Sequence, residues 1–133
     1  MAENVIAISV GKDFKNSDEI KEILFNLEYD RLISLRSKIF EDLRLNWGIV
    51  VEQIDIDWKD TTGSTNIKTG PYGPFNADAP YFAAKKVVAE ATSFIKVGGG
   101  DYNINKLAKQ NDLILIEIEE EETSYASSKQ YKF

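Results

Sequence analysis

The stretch from Thr61 to Ala79 constrains this chain more than any other feature. Its nineteen residues hold Gly63, Gly70, Pro71, Gly73 and Pro74 among Thr, Ser and Asn, and no apolar period runs through them. Connections of this length without structure of their own are uncommon inside a compact domain. The chain therefore divides into a first part that reads strand, helices, strand and a second that reads helices, strand, with an extended loop between them. A further short strand can hide inside that loop. With 133 residues, no internal repeat and no second composition regime, the expectation is one domain over 1–122, an extended loop at 61–79, and a C-terminal tail over 123–133.

Periodicity supplies the elements. Val5 to Val10 is short and β-branched and stops at Gly11, the pattern of a strand. Asn16-Ser17-Asp18-Glu19 marks a helix start, with Asn16 or Ser17 as cap and acids in the first turn. Ile20, Ile23, Leu24 and Leu27 recur at helical spacing, and Leu32, Leu35, Ile39 and Leu43 continue it as a second helix or a bend in the first. Gly48 suits a left-handed cap after Trp47. From Ile49 to Trp58 the pattern is a strand, with Val50, Ile54, Ile56 and Trp58 on one face and Val51, Gln53, Asp55 and Asp57 on the other. Asp78-Ala79-Pro80 opens a third helix whose buried side is Val87, Val88, Ala91, Phe94 and Ile95, ending at Gly98-Gly99-Gly100. Asp101 caps a short helix holding Ile104 and Leu107, and Leu113 to Ile118 is the last strand. The implied fold class is α+β: a small mixed or antiparallel sheet of about three to four strands with helices packed on one face. Such a sheet leaves edges that another chain can complete.

Charge and composition narrow the function classes. The chain has 22 acidic and 16 basic side chains, a net charge of −6. That argues against direct nucleic-acid binding by phosphate neutralisation and against an anionic membrane surface. With no Cys and no His, disulfide scaffolds, zinc fingers, thiol catalysis and His-dependent triads are excluded. The start Met1-Ala2-Glu3-Asn4 lacks the basic region of a signal peptide, and no apolar run approaches the roughly 18 residues of a membrane span. The expected location is the cytoplasm, or a particle assembled there. No catalytic residue, metal ligand or cofactor is assigned.

Three local patterns invite chemistry. Asp55 and Asp57 share one strand face, as do Glu117 and Glu119, so neighbouring strands would bring four carboxylates together. That cluster would suit a hard divalent cation, the alternative being separately solvated faces. Asp57-Trp58-Lys59 has an acid-x-Lys spacing and resembles the PD-(D/E)xK nuclease pattern in those few residues, without its proline. The resemblance implies a metal-dependent hydrolase using Asp13, Asp55, Asp57, Lys59 and Glu117. Gly98-Gly99-Gly100 has the composition of a phosphate loop, but a phosphate loop follows a strand and opens a helix, whereas here a helix is expected to precede it. Trp47 to Ile56 is similar to the helix-to-strand segment of stomatin/prohibitin-type domains over about ten residues, and no function is carried across.

The appendages point elsewhere. Ile67, Tyr72 and Phe75 in the loop and Tyr125, Tyr131 and Phe133 in the tail are aromatic or apolar residues in otherwise polar segments. Such groups are enriched among interface anchors. The leading expectation is a non-enzymatic assembly subunit, a homo-oligomer or a phage-like tail, neck or capsid-accessory component, contacting neighbouring protein subunits through the loop and tail. The alternative is a small acidic inhibitor or immunity-type protein presenting Asp55, Asp57, Glu117 and Glu119 as one acidic patch to a basic partner.

Overall fold

The computed structural model describes residues 3–116. Tyr125, Tyr131, Phe133, Glu117 and Glu119 lie outside the described residues. The described part belongs to the α+β class, with a sheet larger than the pattern suggested. Its elements run β1 Val5–Val10, α1 Ser17–Phe25, β2 Arg31–Leu35, α2 Ile39–Trp47, β3 Glu52–Ile54, β4 Ile67–Gly70, β5 Gly73–Asn76, α3 Ala79–Glu90, β6 Ser93–Val97, α4 Tyr102–Gln110 and β7 Ile114–Leu115. Five strands form one sheet in the order β3-β2-β1-β6-β7, and every pairing within it is parallel. The two remaining strands, β4 and β5, form a separate antiparallel hairpin inside the 61–79 segment.

Parallel and antiparallel strands are both present, as expected, but the expected count of three to four strands is corrected to five in the main sheet and two in the hairpin, and two misread elements explain why. Leu32, Ile33 and Ser34 are all buried, because β2 is covered on both faces. A strand buried on both sides loses its alternation and reads as an apolar run, so Leu32 and Leu35 matched the helical period by coincidence. In the same way Phe94 and Ile95 belong to β6, since α3 stops at Glu90 and Ala91 is already extended with ψ of 151°. At the other extreme, the ten-residue strand expected over 49–58 shortens to Glu52–Ile54.

Helices cover both faces of the sheet rather than one. On one side Ile6, Ile8, Leu32, Ile95 and Val97 pack against Ile20 and Leu24 of α1 and Phe40 and Leu43 of α2. On the other, Val5, Ala7, Ile33 and Phe94 pack against Ala84, Val87 and Val88 of α3 and Ile104, Leu107 and Ala108 of α4. Successive residues of β1 thus enter opposite cores, as the pleat requires. Helix ends follow local chemistry. The Asn16 side chain accepts from Glu19 N, the Asp101 side chain accepts from Ile104 N, and Gly48 caps α2 at φ 67°.

At the N-terminal end of β2, Arg31 ties three elements together. Its guanidinium meets Glu52 of β3 in a two-pronged pair at 2.6 and 2.7 Å, Glu90 of α3 at 2.9 Å and Glu3 at 3.3 Å. The hydrogen bonds from Arg31 hold the Glu52 carboxyl below the usual carboxylate range. A carboxyl depressed in the folded state contributes stability above its unfolded pKa, and that contribution fades as pH falls through the folded value. Urea unfolding midpoints should therefore drop on acidification through the carboxylate range. Arg31→Met should flatten that slope and converge with wild type at strongly acid pH. An unchanged slope in the variant would show that Arg31 does not couple to these acids.

Candidate functional site

The chain steps from β1 to β2 to β3 along one direction, then returns to place β6 and β7 on the other side of β1. Where strand order reverses in a parallel sheet, the loops leaving the C-terminal strand ends diverge and open a crevice. Here the crevice lies beyond Val10, Leu35 and Val97, the last residues of β1, β2 and β6. It is a cavity of about 540 Å³ whose walls include Gly11, Lys12, Ser34, Arg36, Gly100 and Tyr102, within the size range of small-molecule sites.

Close packing of two loops shapes its floor. Gly11 N donates to Val97 O at 2.8 Å. A Cβ at Gly11 would stand 2.0 Å from the Gly98 carbonyl oxygen, so only hydrogen fits there. Gly98, Gly99 and Gly100 have φ of 60°, 83° and 76°, three consecutive left-handed residues that side chains disfavour. The buried Ser9 hydroxyl fixes this turn to β1. It accepts from Asp101 N at 2.7 Å and donates to Asn105 Oδ1 at 2.6 Å, while Asn105 Nδ2 donates to Gly99 O at 3.1 Å. Ser34 likewise ties β2 to β1, donating to Ile8 O at 2.6 Å.

The triple glycine thus follows a strand and opens a helix, which reverses the order expected from the sequence. The physical reason is the same misreading of β6: once Ser93–Val97 is a strand, the Gly98–Gly100 turn leads straight into the first turn of α4. Backbone N–H groups of a helix first turn lack intrahelical partners, and here Gly100 N donates to Val97 O, Asp101 N to the Ser9 hydroxyl and Ile104 N to the Asp101 carboxylate.

Charge around the crevice is opposite to that of the chain. A second groove of about 460 Å³ shares Lys12 with the crevice and adds Lys15, Lys38 and Asp42. Together the two cavities are lined by four cations, Lys12, Lys15, Arg36 and Lys38, against the carboxylates Asp42 and Asp101. Arg36 is held by Asp55, and this hydrogen bond and charge raise its pKa. Asp101 has its Oδ1 committed to Ile104 N at 3.0 Å. Lys12 contributes its charge at the junction of both cavities.

The sequence candidates fall in other places. Asp55 pairs with Arg36, and the Asp57 carboxylate accepts from Lys59 N and Asp60 N in a turn. β3, which precedes these acids, and β7, which precedes Glu117 and Glu119, are opposite edges of the sheet. Among the described residues, no group of three or more acidic side chains is placed to hold a metal ion. Ile67 and Phe75 lie on the two strands of the β4–β5 hairpin and Tyr72 in the turn between them, and of the three Phe75 packs edge-on against Trp58. Lys12, Arg36, Ser9 and Tyr102 escaped sequence reasoning. The signal that locates them is the alternation of short β-branched or aromatic runs, each ending in a glycine or a cation: Val10-Gly11-Lys12, Leu35-Arg36 and Val97-Gly98. No family model matches the chain, and neither a curated protein nor a solved structure matches it.

Proposed function

We propose that this chain binds a small anionic molecule, of the phosphate-bearing class, in the crevice at the C-terminal ends of β1, β2 and β6. The observation that carries the reading is the glycine turn from β6 into α4, set at the reversal of strand order and faced by Lys12. Open parallel sheets bind ligands at this position. A left-handed glycine turn lets a bulky anion approach backbone that side chains would shield. The apolar part of the wall, Val10, Ile56 and Ile104, together with the exposed Tyr102 ring, suits a ligand with an uncharged ring or chain beside its anionic group. The β1–α1 loop reads Gly11-Lys12-Asp13-Phe14 and lacks the glycine spacing of dinucleotide fingerprints, so a mononucleotide-sized molecule fits the reading better than a dinucleotide.

The test is calorimetric titration of the full chain with inorganic pyrophosphate and with nucleoside mono- and diphosphates. At least one should bind, with affinity falling as salt rises. Lys12→Glu should weaken it by roughly tenfold or more, while Lys109→Glu, on α4 away from the crevice wall, should leave it unchanged. Heats of dilution alone for every phosphate compound, or equal weakening by both substitutions, would overturn the assignment.

A further inference from the structure

The crevice and the groove beside it meet at a neck. Lys12, on the loop after β1, and Ser37, on the loop after β2, line both cavities. Both loops are held in place. Phe14 N donates to Gly11 O at 3.1 Å and closes the turn that carries Lys12. That turn also rests on the glycine turn, since a Cβ at Gly98 would stand 2.7 Å from Phe14 Cβ. Ser37 N donates to the Gln53 side chain of β3 at 3.0 Å.

The two cavities differ in what they offer a ligand. The crevice has the apolar wall, and its cations are Lys12 and an Arg36 that Asp55 already holds. The groove has Lys12, Lys15 and Lys38 against one carboxylate, Asp42. All three lysines are exposed, and among the described residues none of them forms an ion pair. The N–H groups of Gly100, Asp101 and Ile104 at the glycine turn have acceptors of their own. Unpaired positive charge therefore extends from the neck into the groove, while apolar surface is confined to the crevice side.

We propose that the groove is a polyphosphate subsite. The uncharged ring of the ligand lies in the crevice, its first phosphate meets Lys12 at the neck, and the further phosphates lie between Lys15 and Lys38. This inference rests on the phosphate-binding reading of the crevice and adds a ligand class to it, nucleoside di- and triphosphates in preference to monophosphates. A monophosphate at the neck satisfies Lys12 and leaves Lys15 and Lys38 facing water. Each added phosphate brings negative charge to a lysine that lacks a partner. Lysine suits this task, being a compact charge on a flexible stem that needs no fixed two-pronged geometry. Asp42 is the one group on the groove wall that opposes it.

Calorimetric titration of the full chain with the mono-, di- and triphosphates of adenosine, guanosine, cytidine and uridine, at fixed ionic strength without divalent cations, tests it. For the nucleoside that binds, affinity should rise by about tenfold or more from mono- to triphosphate. Replacing both groove lysines, Lys15→Gln with Lys38→Gln, should remove that rise and leave monophosphate affinity within about twofold of wild type. Asp42→Asn should act in the opposite direction and strengthen the triphosphate alone. Lys15 and Lys38 are exposed and Lys38 makes no capping hydrogen bond, so the unfolding midpoint of the double variant should match wild type. A monophosphate that binds as tightly as the triphosphate, or an equal loss of both in the lysine variant, would overturn the subsite and leave the crevice reading standing. No binding by any of these compounds would overturn both.

Discussion

Gly11→Ala should lower the stability of the chain by about 3 kcal/mol or more, which for a domain of this size is a fall of roughly 10 °C in Tm. It should also abolish phosphate-compound binding in whatever fraction remains folded. The cause is purely steric. Gly11 is not among the glycines with positive φ, so alanine brings no backbone strain of its own. Its Cβ would instead stand 2.0 Å from the Gly98 carbonyl oxygen and 2.8 Å from the carbonyl carbon. Both are backbone atoms, held by the Gly11 N to Val97 O hydrogen bond and the β1–β6 ladder beneath it. Neither can rotate away. Relief requires β1 and β6 to part at their C-terminal ends, where the crevice opens. Gly48→Ala is the matched comparison. Gly48 has φ of 67° and nothing within 4 Å of a built Cβ, so it carries the conformational cost without the collision. That cost is about 1 kcal/mol. Thermal unfolding of the two variants separates the effects, and equal losses would mean that the two loops are not in the contact described.

Local chemistry was legible in the sequence where a side chain meets its own neighbourhood. Asn16, Gly48 and Asp101 cap helices because each needs only the next turn of chain to act. The strand Val5–Val10 was legible because Gly11 ends it abruptly. What misled was burial on two faces. Leu32 and Ile33 point to opposite cores, as do Phe94 and Ile95, and a continuous apolar run carries no period to distinguish strand from helix. Each error then propagated. Reading β2 as helix removed a strand from the sheet, and reading β6 as helix placed the glycine turn after the wrong element. Strand order lay beyond the pattern, since hydrophobic spacing sets faces and not neighbours. The site was hidden for the same reason. Lys12, Arg36 and Gly100 are far apart in sequence and meet only because three parallel strands end side by side. The hairpin aromatics were legible because Tyr72, Phe75 and Ile67 stand out against a polar segment, although their arrangement on a β-ribbon was not.

Ser9→Ala should cost about 2–3 kcal/mol and weaken phosphate-compound binding by roughly tenfold, although Ser9 lies beneath the crevice wall and is completely buried. Its hydroxyl is the point at which the central strand grips the glycine turn. Removing it leaves the Asp101 N–H without its acceptor at 2.7 Å and Asn105 Oδ1 without its donor at 2.6 Å. Asn105 in turn holds the Gly99 carbonyl, so the loss travels into the turn itself. Alanine fits the space, because it only deletes an atom, so the cost is that of orphaned polar groups and not of crowding. The network also predicts non-additivity. With Asn105→Ala already present, Ser9→Ala should cost about 1 kcal/mol less, since one of the groups it would strand is gone. Urea unfolding of the two single variants and the double variant measures this coupling. A coupling near zero, with Ser9→Ala within about 0.5 kcal/mol of wild type, would mean that the turn is held by its own glycine geometry and that β1 contributes only a surface beneath it.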